Sequence, residues 1–148
     1  AVKGPTGCRY LADERQKTYV YDGWNLPGDA ACLDEDGYIW YEARTDDMIV
    51  SSGYNVGAPE VENALLKHPA VSECAVVGKQ HEQRGTIIKA FVVCADNANV
   101  DPELAVELQN HVKNTIAPYK YPREVEFVNE LPKTGTGKIQ RFRLREMA

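Results

Sequence analysis

From Met48 onward the apolar residues switch repeatedly between strand-like and helical spacing, and this alternation limits the folds open to the chain more than any other feature. Met48-Ile49-Val50 is a short strand-like run ending at Ser51-Ser52-Gly53. Ala58-Pro59-Glu60 then opens a helix, with proline in the first turn, where its missing N–H costs nothing. Val61, Ala64, Leu65 and His68 fall at helical spacing until Pro69 stops the run. Two strand-like runs follow, 72–77 and 86–94, joined by a polar loop holding Gln80, His81, Glu82 and Gly85. Asp101-Pro102-Glu103 reads as an N-cap followed by proline at the first helical position, and Leu104, Leu108, Val112 and Ile116 recur every four residues. A strand over 124–128 and a short terminal helix over 140–147 complete a β-α-β-β-α-β-loop-α order. That order predicts an α+β domain, a small sheet with helices packed on one face.

Residues 18–44 have a different texture. The aromatic, β-prone run at 19–24, the turn Asp34-Glu35-Asp36-Gly37 and the run Tyr38-Ile39-Trp40-Tyr41 read as hairpins, with Asp36-Gly37 supplying the positive φ of a tight turn. The chain is therefore expected to divide near Arg44-Thr45-Asp46-Asp47: residues 1–45 as the end of a β-rich neighbour, 46–148 as the complete small domain.

Composition narrows the function classes. At 148 residues the chain is long enough for roughly 68–70% of its unfolded surface to be buried. With 43% hydrophobic and 26% charged residues it is neither collagen-like nor strongly disordered. The longest apolar runs are only a few residues, too short for a spanning helix. Residues 1–9 lack the apolar core of a signal peptide, and the opening reads as cut from something longer. Cys8, Cys32, Cys74 and Cys94 form no CxxC pair, and His68, His81 and His111 stand apart, so zinc spacing is absent and reduced cytoplasmic thiols are expected. Cys74 and Cys94 lie in apolar runs, where a thiol packs as a small hydrophobe.

The net charge of −5 is unevenly distributed. Residues 1–111 carry 9 basic and 18 acidic side chains, a balance of −9; residues 112–148 carry 8 and 4, a balance of +4. A basic tail on an acidic body points to an anionic ligand met by the C-terminus. Nucleic acid is disfavoured, because Lys133, Lys138, Arg141, Arg143 and Arg145 have only Phe142 as a stacking neighbour.

Three segments can carry chemistry. In Pro132-Lys133-Thr134-Gly135-Thr136-Gly137-Lys138 the glycines free backbone N–H groups for an anion and let a lysine extend from a mobile tip. It is not a phosphate-binding Walker loop, because Pro132 and Ile139 occupy positions that need Gly and Ser or Thr. The plain alternative is a flexible linker before a helix. Asp29, after Gly28, is either a turn residue or a carboxylate that accepts both hydroxyls of a ribose. Arg44-Thr45-Asp46-Asp47 is an exposed junction and so a candidate hinge, with no third oxygen ligand nearby for a metal. Gly53, in a short strand, marks a bulge or a close approach of backbone to ligand. His68 reads as a cap or packing residue and His81 as solvated; no nucleophile elbow or Ser-His-Asp set is present.

Taken together, these segments closely resemble the adenylate-forming superfamily of acyl- and aryl-CoA ligases, adenylation domains and luciferases. The resemblance rests on Gly23-Trp24 with Gly28-Asp29, on Arg44-Thr45-Asp46-Asp47-Met48-Ile49, and on Ser52-Gly53-Tyr54-Asn55-Val56 with Pro59-Glu60-Val61-Glu62. His68-Pro69-Ala70-Val71, Cys74-Ala75-Val76-Val77-Gly78, Lys89-Ala90-Phe91-Val92-Val93 and the lysine loop at 132–141 complete it, in order and over nearly the whole chain. Gly4-Pro5-Thr6-Gly7-Cys8-Arg9-Tyr10 and Gly53-Tyr54-Asn55-Val56-Gly57 look most like the benzoate- and 2-aminobenzoate-CoA ligase branch. The chain departs from the family pattern at Pro27, Ala43 and Asn55, where Thr, Gly and, in several ligases, Arg are usual, and at Gln80-His81, where Pro-Asp is frequent.

The resemblance implies the C-terminal portion of a carboxylic acid–CoA ligase: the last hairpin strands of the large domain, then the small mobile domain, inactive without the missing N-terminal part. ATP, Mg2+ and CoA would be its substrates and cofactors, and a benzoate- or 2-aminobenzoate-type acid its substrate class by that resemblance, with a medium-chain fatty acid as the alternative. By analogy Lys138 is the adenylation lysine, Asp29 and Arg44 bind the nucleotide, Asp46 is the hinge, and Gly53 with Tyr54 lines the CoA channel. The contrasting readings are a non-catalytic interaction module of the same fold and an adenylation domain that loads a carrier protein.

Overall fold

A computed structural model of the chain describes residues 1–3, 14, 16–96, 98 and 100–148. Cys8 and the 4–10 segment lie outside the described residues. The chain divides into two compact units, Ala1–Asp46 and Asp47–Ala148.

The first unit holds a one-turn helix α1 (Gln16–Tyr19) and two antiparallel hairpins, β1 (Val20–Tyr21) with β2 (Trp24–Asn25) and β3 (Asp29–Leu33) with β4 (Ile39–Arg44). The aromatic run at 19–24 is thus not one strand. It reverses at Asp22-Gly23, both with positive φ (47° and 75°), the backbone a two-residue hairpin turn demands. In the second hairpin Asp34 organises the loop, accepting hydrogen bonds from the Asp36 and Tyr38 backbone N–H groups and from Trp40 Nε1. The Trp40 bond, then that of Tyr38, holds the Asp34 carboxyl below its ordinary pKa. Along β4 the apolar residues Ile39, Trp40 and Tyr41 are exposed; only Ala43 is fully buried among the described residues of this unit.

The second unit is built on a three-stranded sheet, β7 (Val71–His81), β8 (Gly85–Cys94) and β9 (Glu124–Phe127), in the order β7-β8-β9. Before it come the hairpin β5 (Met48–Ser51) and β6 (Tyr54–Gly57) and helix α2 (Ala58–Leu65). Helix α3 (Pro102–Thr115) provides the crossover that makes β9 parallel to β8, and α4 (Arg141–Met147) closes the chain. The α+β class therefore holds. Alternation along the central strands buries both sheet faces: Cys74, Val76, Ile88, Ala90 and Val92 point one way, Ala75, Val77 and Phe91 the other. The first face packs against Ile49 and Val56 of the hairpin, Val61 and Leu65 of α2, and Leu104, Leu108 and Val112 of α3. The second packs against Leu131 and Leu144, so α4 lies across the sheet from the two longer helices instead of beside them. A single buried leucine on a seven-residue helix gave little periodicity from which to read this.

Local chemistry explains most boundaries. Asp101 accepts the Leu104 N–H at 2.9 Å, and Pro102 fills the first helical position. Helix α2 ends at Leu65, three residues before the expected His68; the chain goes on in tighter turns, the Lys67 N–H donating to the Ala64 carbonyl and the His68 N–H to the Leu65 carbonyl, before Pro69. His68 is instead a buried packing residue, its Nε2 3.2 Å from Glu107 and its Nδ1 accepting from the Ala70 N–H. Gly78 lies where the β5 hairpin crosses β7; a Cβ there would stand 3.0 Å from Thr86 Cγ2 and 3.4 Å from Ile49 Cγ2.

Cys74 is buried, and desolvation, then the Glu62 carboxylate, raise its thiol pKa to about 12, with Arg141 pulling the other way. It stays protonated near neutral pH and behaves as a small hydrophobe. Thiol-reagent titration of the folded chain should modify exposed Cys32 quickly and leave Cys74 unreacted until denaturant is added. The contrast in burial between the units gives a second expectation. A chain of residues 47–148 should fold alone with a cooperative melt close to that of the whole, whereas residues 1–46 alone should show no cooperative transition by circular dichroism.

Candidate functional site

Three of the expected residues meet in the first unit. β3 begins at Asp29, β4 ends at Arg44, and the two are cross-strand partners at the end of the ladder. Asp29 is thus the first residue of a strand and not a turn residue; the turn ends one position earlier, at Gly28 with φ +76°. Arg44 Nη1 lies 3.8 Å from Asp29 Oδ1 and Arg44 Nε 3.5 Å from Asp46 Oδ1. Thr45 donates both its backbone N–H (2.8 Å) and its hydroxyl (3.0 Å) to the Gly28 carbonyl, tying the end of β4 to the start of β3. The positive φ disfavours a side chain at position 28, and a Cβ there would stand 3.2 Å from Arg44 Nη2, which would have to give by a few tenths of an ångström.

Asp29, Arg44, Thr45 and Asp46 line one open recess with Pro27 and Tyr19. Desolvation opposes the charge on Arg44, but Asp46 and Asp29 outweigh it and raise the guanidinium pKa further. The recess therefore offers a permanent cation, a donor to phosphate or ribose oxygens, beside carboxylates that can accept from a diol. Those are the groups that a ribose phosphate requires. Among the described residues no three His, Cys, Asp or Glu side chains converge as a metal site.

The second unit carries Lys138 on an ordered turn and not on a flexible linker. Lys133 and Ile139 form an isolated antiparallel bridge, Thr134 N–H donates to the Lys138 carbonyl (2.8 Å), and Gly137 N–H donates to the Thr134 carbonyl (2.9 Å). The Thr134 hydroxyl oxygen accepts the Lys138 N–H at 3.1 Å. Gly137 has φ +83°, which only glycine adopts without cost. The two lysines then divide: Lys133 is held 2.6 Å from Glu73, whereas no hydrogen bond or ion pair holds the Lys138 ammonium among the described residues. Gly137→Ala should cost the turn about 1–2 kcal/mol, read as roughly 5–30-fold faster hydrogen exchange at the Gly137 and Thr134 amides.

Gly53 lies in the two-residue turn of the β5–β6 hairpin and not within a strand. Ser52 and Gly53 both have positive φ (51° and 83°), and nothing lies within 4 Å of where a Gly53 Cβ would stand. The turn alone accounts for glycine there. Tyr54 stacks on Tyr119, with centroids 4.2 Å apart and an interplanar angle of 24°. The hairpin below Gly53 packs on the α2–α3 face of the sheet through Ile49 and Val56, whereas Leu131 and Ile139, which bracket the lysine turn, pack on the α4 face. Lys138 and Gly53 thus belong to opposite sides of the small unit.

Sequence reasoning missed a cluster of ion pairs at the foot of the lysine turn: Arg141 with Glu62 and Asp47, and Arg145 with Asp47. One signal was available. Glu62 falls on the buried stripe of α2 with Ala58, Val61 and Leu65, and a carboxylate placed there requires a partner.

A mixed sheet flanked by helices on both faces, with a lysine displayed on a glycine turn, defines a small α+β domain. The chain belongs to the AMP-binding enzyme C-terminal domain family, whose model matches residues 60–138. It is 55% identical over 138 residues to the uncharacterized acyl–CoA ligase YtcI of Bacillus subtilis, covering 93% of this chain and 26% of that protein. It is 57% identical over 127 residues to the human mitochondrial acyl-coenzyme A synthetase ACSM2B, covering 84% of this chain and 22% of that protein. Among solved structures it matches the anthranilate CoA ligase AuaEII in complex with anthranoyl-AMP, at 42% identity and a TM-score of 0.82, over 91% of this chain and 26% of that one. The chain spans about a quarter of the length of these relatives.

Proposed function

We propose that this chain is the C-terminal part of an AMP-forming carboxylic acid–CoA ligase and supplies its adenylation lysine. The observation that carries this reading is the free Lys138 ammonium on a rigid turn, within a chain whose relatives are named acyl–CoA ligases and synthetases. In the first half-reaction a carboxylate oxygen attacks the α-phosphorus of ATP, the bond to the bridging oxygen breaks, and pyrophosphate leaves. Lys138, aimed between the attacking oxygen and the α-phosphate, offsets the negative charge that gathers there. Asp29 accepts the ribose hydroxyls and Arg44 donates to ribose or phosphate, as their shared recess allows. Magnesium would arrive on the nucleotide phosphates. In the second half-reaction the CoA thiol, losing its proton, attacks the acyl carbon and AMP leaves.

Asp46 acts as the hinge in this reading. The division of the chain between Asp46 and Asp47 supports that role, as does the placement of Lys138 and Gly53 on opposite sides of one unit. Rotation about the hinge would exchange the lysine for the Gly53–Tyr54 hairpin, which then lines the CoA channel. Residues 1–45 would be the last strands of the large domain, whose remainder covers the exposed Ile39, Trp40 and Tyr41; the ligase would act in the cytoplasm.

For the acid, the likeness to an anthranilate ligase supports a benzoate or 2-aminobenzoate type. A fatty acid is the second reading, favoured by the higher identity to acyl synthetases. The full-length protein given ATP, magnesium and CoA with benzoate, 2-aminobenzoate or octanoate decides between them by kcat/KM. The highest value with an aromatic acid upholds the first reading and the highest with octanoate the second. AMP release with none of them would leave a non-catalytic module.

A further inference from the structure

We propose that the Glu62–Arg141–Asp47 ion-pair cluster is the positioning device of the adenylation lysine, an inference that rests on the ligase reading above. Arg141 follows Lys138 by three residues and opens α4. Its Nη2 donates to both oxygens of Glu62 (2.7 and 2.9 Å), its Nε reaches Glu62 Oε1 at 3.3 Å, and its Nη1 reaches Asp47 Oδ2 at 3.5 Å. Arg145, one helical turn on, donates to the other Asp47 oxygen at 3.0 Å. Glu62 Oε1 also accepts the Val76 N–H at 2.8 Å, so its carboxylate is fixed to β7 as well.

The cluster therefore joins four places: the residue that follows the division between the units, helix α2, strand β7 and the exit of the lysine turn. Its carboxylates are nearly buried, with side chains only 10% (Glu62) and 13% (Asp47) exposed. A guanidinium fork on a carboxylate fixes direction as well as distance. Between Arg141 and Lys138 the path is short and stiff: Gln140 N–H donates to the Pro132 carbonyl at 2.8 Å, and the Lys133–Ile139 bridge closes the turn. Apolar packing of Leu144 alone would leave this segment free to swivel about its axis; the fork removes that freedom. A lysine at the tip of such a turn moves when its base moves, and a displacement near 1 Å can cost about 100-fold in rate. Arg141 touches no reacting atom in this account. It acts through Lys138.

The test is made in the full-length ligase, on the two half-reactions separately. Arg141→Lys keeps the charge and loses the fork; Glu62→Gln keeps the shape and the Val76 bond and weakens the fork. Adenylate formation, followed as acid-dependent pyrophosphate release, should fall roughly 10–100-fold in kcat for Arg141→Lys and less for Glu62→Gln, with KM for ATP and acid within about twofold. Thioester formation from supplied acyl-AMP and CoA, which does not use the lysine, should stay within about threefold in both. Equal losses in the two half-reactions would mean that the cluster merely holds the domain together, and unchanged adenylation would mean that it positions nothing; either overturns the proposal. If Arg141→Lys fails to fold, Glu62→Gln decides by the same criterion. Lys138→Ala is the control: should it form adenylate at the wild-type rate, the ligase reading itself has failed and not the cluster.

Discussion

Replacing Lys138 with alanine in the full-length protein is expected to lower adenylate formation by about 100–1,000-fold, the usual loss when one preorganised charge is removed from a transition state. Folding should be untouched, because the ammonium is exposed and no partner holds it among the described residues. Lys133 supplies the contrast within the same loop. Its ammonium is engaged by Glu73 at 2.6 Å on the surface of the small unit, so Lys133→Ala should change adenylation only a few-fold. A steady-state comparison of AMP release by the two variants checks this directly. Equal effects would mean that the basic loop acts by general charge and not through one directed lysine.

The largest expected effect on stability is at Phe91. It is completely buried at the centre of the second sheet face, against Ala75, Val77, Leu131 and Leu144, with the Lys89 ammonium 4.7 Å from its ring centroid. Truncation to alanine removes the ring and leaves a cavity that α4 is too short to fill, for a loss of about 3–5 kcal/mol. A domain of this size has only about 5–15 kcal/mol in all, so the midpoint of urea unfolding should fall by a large fraction. Leu131 and Ile139 share that cluster and flank the lysine turn, so the same cavity should loosen the turn before global unfolding. A loss under about 1 kcal/mol would show that α4 is not seated as described.

How far the chain could be read in advance depended on how local the determining interaction is. Pro59 and Asp101-Pro102 mark helix starts by their own backbone chemistry, and α2 and α3 begin where those residues put them. The unbroken apolar runs within 72–77 and 86–94 marked the central strands in the same way. Asp29 was a harder case: its strand pairs with β4 across a loop, and only the Arg44 partnership distinguishes a ladder residue from a turn residue. The conformation of the lysine turn depends on the Lys133–Ile139 bridge and the Thr134 hydroxyl, neither of which has a sequence pattern as strong as a heptad or a cap. The Glu62–Arg141 pair joins residues 79 positions apart, and nothing in either neighbourhood names the other. Its one trace was a carboxylate on an apolar helical stripe.

As proposed above, this small domain serves an enzyme that activates a carboxylic acid through its adenylate. The most direct measurement is the product balance of the full-length protein incubated with ATP, magnesium, CoA and its best acid. AMP, pyrophosphate and thioester should appear in equal amounts, all dependent on the acid. ADP and inorganic phosphate in their place, or ATP consumption indifferent to any acid, would contradict it.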